Sequence, residues 1–193
     1  MKKTIASLAV VASLAVTPFS LALAHEVKAP MMQSSPQAEQ QPYDVQFLDT
    51  MVKHHQDGIK MFQMAADKAH NPELRAMAEK MVDDQKKEIP ELKALREEVK
   101  PGAPEAINMK LMKMDGIKMD DMDMSKLKDL SGMEFDHQFL HMTVMHHQCA
   151  VDMSDVALKQ AQNPDVKKKA QMMHDMQKEE IFRMKEMLAE LKG

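Results

Sequence analysis

Four side chains with metal-ligand chemistry fall on one line of a single predicted helix: Met142, His146, Cys149 and Met153. Their i, i+4, i+7 and i+11 spacing places them within about 60° of one another on an α-helix. Thioether, thiol and imidazole together select Cu(I), and Ag(I) by extension, over hard cations. A parallel line at four-residue steps carries His137, His141 and Met145. Another motif lies upstream, where Met109-x-x-Met112-x-Met114 is followed ten residues later by Met119-x-x-Met122-x-Met124. The same spacing twice, among Lys and Asp, reads as two clusters of three sulfurs in a solvated segment. The competing reading is an amphipathic helix with some Met turned inward. Any site built on His146, His137 or His141 is expected to weaken in acid, because imidazole binds metal only when neutral.

An internal repeat must position these residues. Reading each position against the one 92 residues later gives 21 identities in 50 positions, from Asp44–Lys93 to Asp136–Lys185, without a gap. Gln46-Phe47-Leu48 matches Gln138-Phe139-Leu140, and His54-His55-Gln56 matches His146-His147-Gln148. Asn71-Pro72 matches Asn163-Pro164, and Gln85-Lys86 matches Gln177-Lys178. A repeat of this length marks each half as one supersecondary unit. In the first unit Leu48, Met51, His55, Ile59, Phe62 and Ala66 recur at helical spacing. Asn71 with Pro72 then gives an N-cap and N1 signal for a second helix. Pro90 falls inside that helix and is expected to kink it. Two helical hairpins, neither able to bury its apolar face alone, predict an all-α antiparallel four-helix bundle.

The repeat also shows where the halves differ. Thr50 and Asp57 stand where the second half has Met142 and Cys149, so the soft ligands concentrate in the second half. His55 and His147 lie on the apolar stripes, where ligation and a buried structural bond are both open; His54, His146 and their Met and Cys neighbours fall beside those stripes, where metal binding is the favoured reading. Met77, Met81, Met173, Met184 and Met187 are read as packing residues, since Met fills cores well. Glu134-x-x-His137 superficially matches a di-iron motif. Its first-half equivalents are Pro42 and Val45, so that reading is rejected.

The chain has 193 residues with 23 Met, nine His and one Cys. Lys2 and Lys3 precede an uncharged stretch ending at Ala22-Leu23-Ala24, the pattern of a secretory signal peptide over residues 1–24. Cleavage there would expose His25, whose amine and imidazole could chelate Cu(II). Removing Lys2 and Lys3 leaves 26 − 2 = 24 basic residues against 30 acidic ones, which argues against nucleic acid as a partner. No later stretch is long and apolar enough for a membrane span. One cysteine excludes an intrachain disulfide and leaves Cys149 as a ligand, an inert thiol or an intermolecular bridge. Residues 25–42 read as a disordered lead-in and 43–193 as one domain. That domain comprises hairpin one (43–99), a Met-rich connector (100–133) and hairpin two (134–193).

The duplicated Phe-Leu…His-His-Gln run, the Asn-Pro helix start and the Met setting resemble the CopM-like periplasmic copper-binding proteins. The resemblance spans Asp44 to Leu191 and implies a ferritin-like bundle, long catalogued as a domain of unknown function. It implies copper binding, with silver, for tolerance, buffering or delivery, and other periplasmic copper-handling proteins as partners. Carried over to this sequence, it points to His54, His55 and Met61 in one half and His146, His147 and Met153 in the other. No residue set for catalysis is expected, since a copper-dependent redox enzyme would need an open position and a substrate pocket. The alternative is a metal-independent periplasmic chaperone or stress adaptor with a Met-rich contact surface.

Overall fold

The computed structural model describes residues 33–112 and 123–191. The predicted signal peptide, His25, and Met114, Met119 and Met122 of the connector lie outside those residues. Four α-helices dominate: α1 (Tyr43–Lys68), α2 (Pro72–Val99), α3 (Gly132–Gln160) and α4 (Pro164–Glu190). No strand occurs among the described residues. Each hairpin turns on the predicted Asn-Pro pair. Asn71 Oδ1 accepts from the Glu73 and Leu74 amides at 2.8 and 3.3 Å, and Asn163 Oδ1 does the same for Asp165 and Val166. Each cap satisfies two amides that have no partner within the helix. The α2 helix continues through Pro90 to Val99, with Pro90 on the exposed side.

The hairpins pack through α1 and α3, and two duplicated carboxylates fix their direction. Asp136, at the start of α3, accepts from the His70 and Asn71 amides at 2.9 and 2.7 Å, in the turn that follows α1. Its copy Asp44, at the start of α1, accepts from the Gln162 amide at 3.1 Å and the Asn163 amide at 3.5 Å in the other turn. Each helix therefore starts beside the other's end, and α1 and α3 run antiparallel. Each hairpin turn is capped by the opposite hairpin.

Burial on α1 and α3 defines two apolar clusters. One contains Phe62, Ala65, Phe135, Phe139 and Leu140, and the other contains Phe47, Leu48, Met51, Ala157 and Met173. Phe47, Phe62, Phe135 and Phe139 are fully buried, each contributing about 1.5–3 kcal/mol relative to exposure. The clusters use opposite ends of α1 and α3, and His54, His55, His146 and His147 lie between them in sequence on both helices.

The lead-in and connector differ from expectation over their described parts. Residues 33–42, expected to be disordered, include a 3-10 turn at Ala38–Gln40, and the Ser35 amide donates to Ile107 O at 2.8 Å. Ala38 packs with Val45 and Ala106. Residues 106–108 of the connector are bound to α1. Asp49 Oδ2 accepts from the Ala106 amide, Thr50 Oγ1 accepts from the Asn108 amide, and Asn108 Nδ2 donates to Gln46 Oε1. Arg96 joins the group, bonding Asp49 at 3.2 Å and the carbonyls of Ala103 and Pro104. Residues 103–108 pass over α1, so it is the first half that needs these residues. Asp49 and Thr50, which stand where the second half carries His141 and Met142, are the residues that hold this segment.

Candidate metal centre

Four imidazoles meet at the centre of the bundle because α1 and α3 cross there. His54 and His146 stack with ring centroids 3.7 Å apart and 27° between planes. His54, His55 and His147 are 0% exposed and His146 5%. Gln85, Gln177 and Ser154 are buried polar residues as well. These buried polar groups are poorly satisfied. His54 Nδ1, His55 Nδ1, His147 Nδ1 and both ring nitrogens of His146 have no hydrogen-bond partner, nor do Gln85 Oε1, Gln177 Oε1 and Ser154 Oγ. Buried polar atoms are nearly always paired, so such a concentration requires a reason.

The bonds that do form are also duplicated. His55 Nε2 lies 2.8 Å from Glu88 Oε2, and His147 Nε2 lies 2.8 Å from Glu180 Oε2. His54 Nε2 lies 3.0 Å from His146 O. A carboxylate or carbonyl can only accept here, so Nε2 carries a hydrogen in all three rings, and in the neutral His54 ring Nδ1 is left with its lone pair. Burial pushes His54 and His146 well below the usual imidazole range, and the neighbouring imidazoles add to this. Burial raises Glu88, but its bond to His55 and the nearby Lys169 outweigh that and hold it below the usual carboxylate range. The layer thus holds His54 and His146 as neutral imidazoles near the ionised Glu88. The expectation that His146 must shed a proton before binding metal is corrected: its environment already keeps the ring neutral.

Gly58 makes the close approach possible. A Cβ there would stand 2.6 Å from Gln85 Oε1 and 2.8 Å from His146 Cε1, both too short. Neither Gly58 nor the glutamines stood out as ligands in the sequence. The match of Gln85 with Gln177 across the repeat was the available signal, because a buried amide is kept in two copies only where both copies need it.

The predicted ligands divide into several environments. His54, His55, His146 and His147 come together in the layer. Met142 joins the cluster on one side of it with Met61, and Cys149 and Met153 join the cluster on the other. The line expected beside the core is therefore inside it, with Met142, Cys149 and Met153 each 1% exposed. The Cys149 thiol donates to Met112 O at 3.7 Å, and burial with nearby Asp152 pushes its pKa up to about 12. The protein holds Cys149 as a neutral thiol. His137, His141 and Met145 form the accessible line, with the His137 and His141 rings 4.5 Å apart. Met145 and Met124 pack against the same apolar cluster, and Met112 against the other. Met109 and Met112 lie in a 3-10 turn at Met109–Met112, and Met124 in another at Met124–Leu127. The described connector methionines are half-buried, so the expectation of fully solvated sulfurs does not hold for them.

Among the described residues no three His, Cys, Asp or Glu side chains converge as a metal cage. The donor chemistry nevertheless fits a soft cation. Bare imidazole nitrogens lie between clusters carrying thioethers, and the stacked His54 and His146 rings would have to turn to share one ion.

Residues 28–187, with a second, overlapping match at 6–95, fit the family described as a domain of unknown function, DUF4142. The chain belongs to this family. It is also similar to CopM in its Cu(I)-bound form, with 29% identity, a TM-score of 0.64, and 79% of this chain covering 100% of that one. CopM in its Cu(II)-bound form gives 30% identity and a TM-score of 0.64, over 76% of this chain and 96% of that one. The CopM-like resemblance drawn from the paired Phe-Leu…His-His-Gln runs is borne out. A DUF305 protein from Streptomyces coelicolor shares the fold, with 24% identity, a TM-score of 0.68, and 79% of this chain covering 95% of that one. No curated protein matches the chain.

Proposed function

We propose that this protein captures Cu(I), and Ag(I) with it, as cargo on imidazole and thioether donors of α1 and α3. It would serve copper tolerance, buffering or delivery in the periplasm, without catalysis. The observation that carries the reading is the stacked, buried pair His54 and His146, held neutral with ring nitrogens that have no partner. Such nitrogens suit soft, borderline metals and are costly to leave unused. The solved Cu(I), Cu(II) and Ag forms of CopM support the same cargo. The accessible His137, His141 and Met145 line is the place of first contact, because the central imidazoles are closed to solvent. No helix among the described residues is long and apolar enough to cross a membrane.

Anaerobic Cu(I) titration against a chromophoric chelator tests this. His54→Leu/His146→Leu should lose tightly held Cu(I), and His137→Ala/His141→Ala should slow uptake more than it lowers final loading. Replacing Met109, Met112, Met114, Met119, Met122 and Met124 by Leu isolates the connector. Zn(II) bound as tightly as Cu(I), or full Cu(I) loading in the His54/His146 variant, would rule out the reading.

A further inference from the structure

The two carboxylate–imidazole pairs are copies of one arrangement, yet their surroundings differ. Glu88 and Glu180 are equivalent across the repeat, and each accepts from the Nε2 of its histidine at 2.8 Å. Both carboxylates are mostly shielded, with side chains 13% and 15% exposed. Both histidines are 0% exposed, and each keeps an unpartnered Nδ1 within the layer. A carboxylate on one ring nitrogen fixes the tautomer, holds the ring plane and strengthens the other nitrogen as a metal donor.

A second cation enters only one copy. Lys169 Nζ on α4 lies 3.5 Å from Glu88 Oε1 and 2.6 Å from Glu91 Oε2 on α2. The position equivalent to Lys169 is Met77, and the position equivalent to Glu91 is Arg183. At that end Arg183 faces Glu179 on its own helix at 3.7 Å, and Lys80 faces Asp84 on its own helix at 2.5 Å. Among the described residues, no ion pair there joins α2 to α4. Glu88 therefore divides its charge between His55 and an ammonium group, whereas Glu180 has no lysine at the equivalent place.

We propose that Glu88 and Glu180 are positioning residues that present His55 Nδ1 and His147 Nδ1 to a soft monovalent metal ion, and that the His147–Glu180 half binds more tightly. Lys169 draws charge from Glu88 and weakens its effect on His55. Met77 leaves Glu180 without a lysine in direct contact, and Lys80 on α2 acts on it only at longer range. The proposal rests on the copper reading and adds to it which carboxylates act and which half leads.

Long-range 15N–1H spectra of the metal-free full chain read the tautomers directly. His55 and His147 should show a protonated Nε2 and a bare Nδ1, and a proton on Nδ1 in either ring overturns the proposal whether or not metal binds. Ag(I) competition titration reads affinity. Glu180→Leu should weaken binding about 10- to 100-fold, the usual cost of losing a partner behind a ligand. Glu180→Gln keeps an acceptor and should recover part of that loss, which a purely structural defect would not allow. Met77→Lys should weaken the second half about two- to fivefold and Lys169→Met should strengthen the first by a similar factor, the range for one ion pair. Each swap copies a residue that the repeat already accepts at that position, so both variants should fold. Wild-type Ag(I) affinity in both leucine variants, Glu88→Leu and Glu180→Leu, overturns the proposal and leaves the copper reading standing. A wild type that takes no Ag(I) overturns both.

Discussion

Acid should destabilise the metal-free protein through its central histidines. Burial holds His54 and His146 neutral when folded, well below the imidazole range, and nearby imidazoles reinforce this. The unfolded chain has an ordinary imidazole pKa of about 6.5. Above that pH both states are neutral and these residues contribute no pH dependence. As pH falls through about 6.5 the unfolded chain gains protons that the folded chain cannot take, so stability falls until the lowered folded pKa is reached. At pH 5.5, one unit below the reference, the loss is RT ln 11, about 1.4 kcal/mol per histidine and about 2.8 kcal/mol for the two. In a domain of this size that corresponds to roughly 6–11 °C in Tm. Other titrating groups are removed by comparison with His54→Leu/His146→Leu, in which apolar side chains of similar size replace the stacked rings. Urea denaturation of both proteins, with chelator, at pH 7.5 and 5.5 gives the difference. Equal losses in the two proteins between those pH values would refute the account.

Three further outcomes follow from the geometry. Asp136→Ala and Asp44→Ala should each cost about 1.5–3 kcal/mol in denaturant, since each removes a charged acceptor from two amides. Cys149 should resist aromatic disulfide reagents at pH 8 in the folded protein and react at once in urea; rapid labelling of native protein would contradict its burial and raised pKa. Gly58→Ala should cost about 1–3 kcal/mol by overpacking and shift the ring resonances of His146, because its new methyl meets both that ring and Gln85.

Periodicity and the repeat made the helices legible. Asn71-Pro72 and Asn163-Pro164 mark the hairpin turns, and the Phe-Leu and His-His runs mark the faces that pack. The tilt of these faces was not legible. His146 and its sulfur neighbours were read as lying beside the apolar stripe, and the α1–α3 crossing buries them instead. A helical wheel gives the angle around one helix, whereas burial depends on what a second helix covers. The connector misled for a similar reason. Thr50 looks like a lost ligand beside Met142, until the pass of residues 103–109 over α1 is seen. Glu88 and Glu180 match across the repeat on the second helix of each hairpin, and nothing in the sequence joins them to the histidines. Their role depends on lying 33 positions from the histidines they bond, a separation that helical spacing does not reveal.

The exchanged carboxylates at Asp44 and Asp136 also bear on how such a chain can arise. A lone hairpin exposes the amides of its turn and carries, at its own far end, a carboxylate with no turn to hold. Two identical hairpins placed head to tail meet both needs at once, with the exchange exact under a two-fold axis. A single gene for one hairpin would therefore have encoded a symmetric dimer already closed at both ends. Fusing two copies changes only the path between them, after which each half can drift: one to hold the connecting segment, the other to keep Met142 and Cys149.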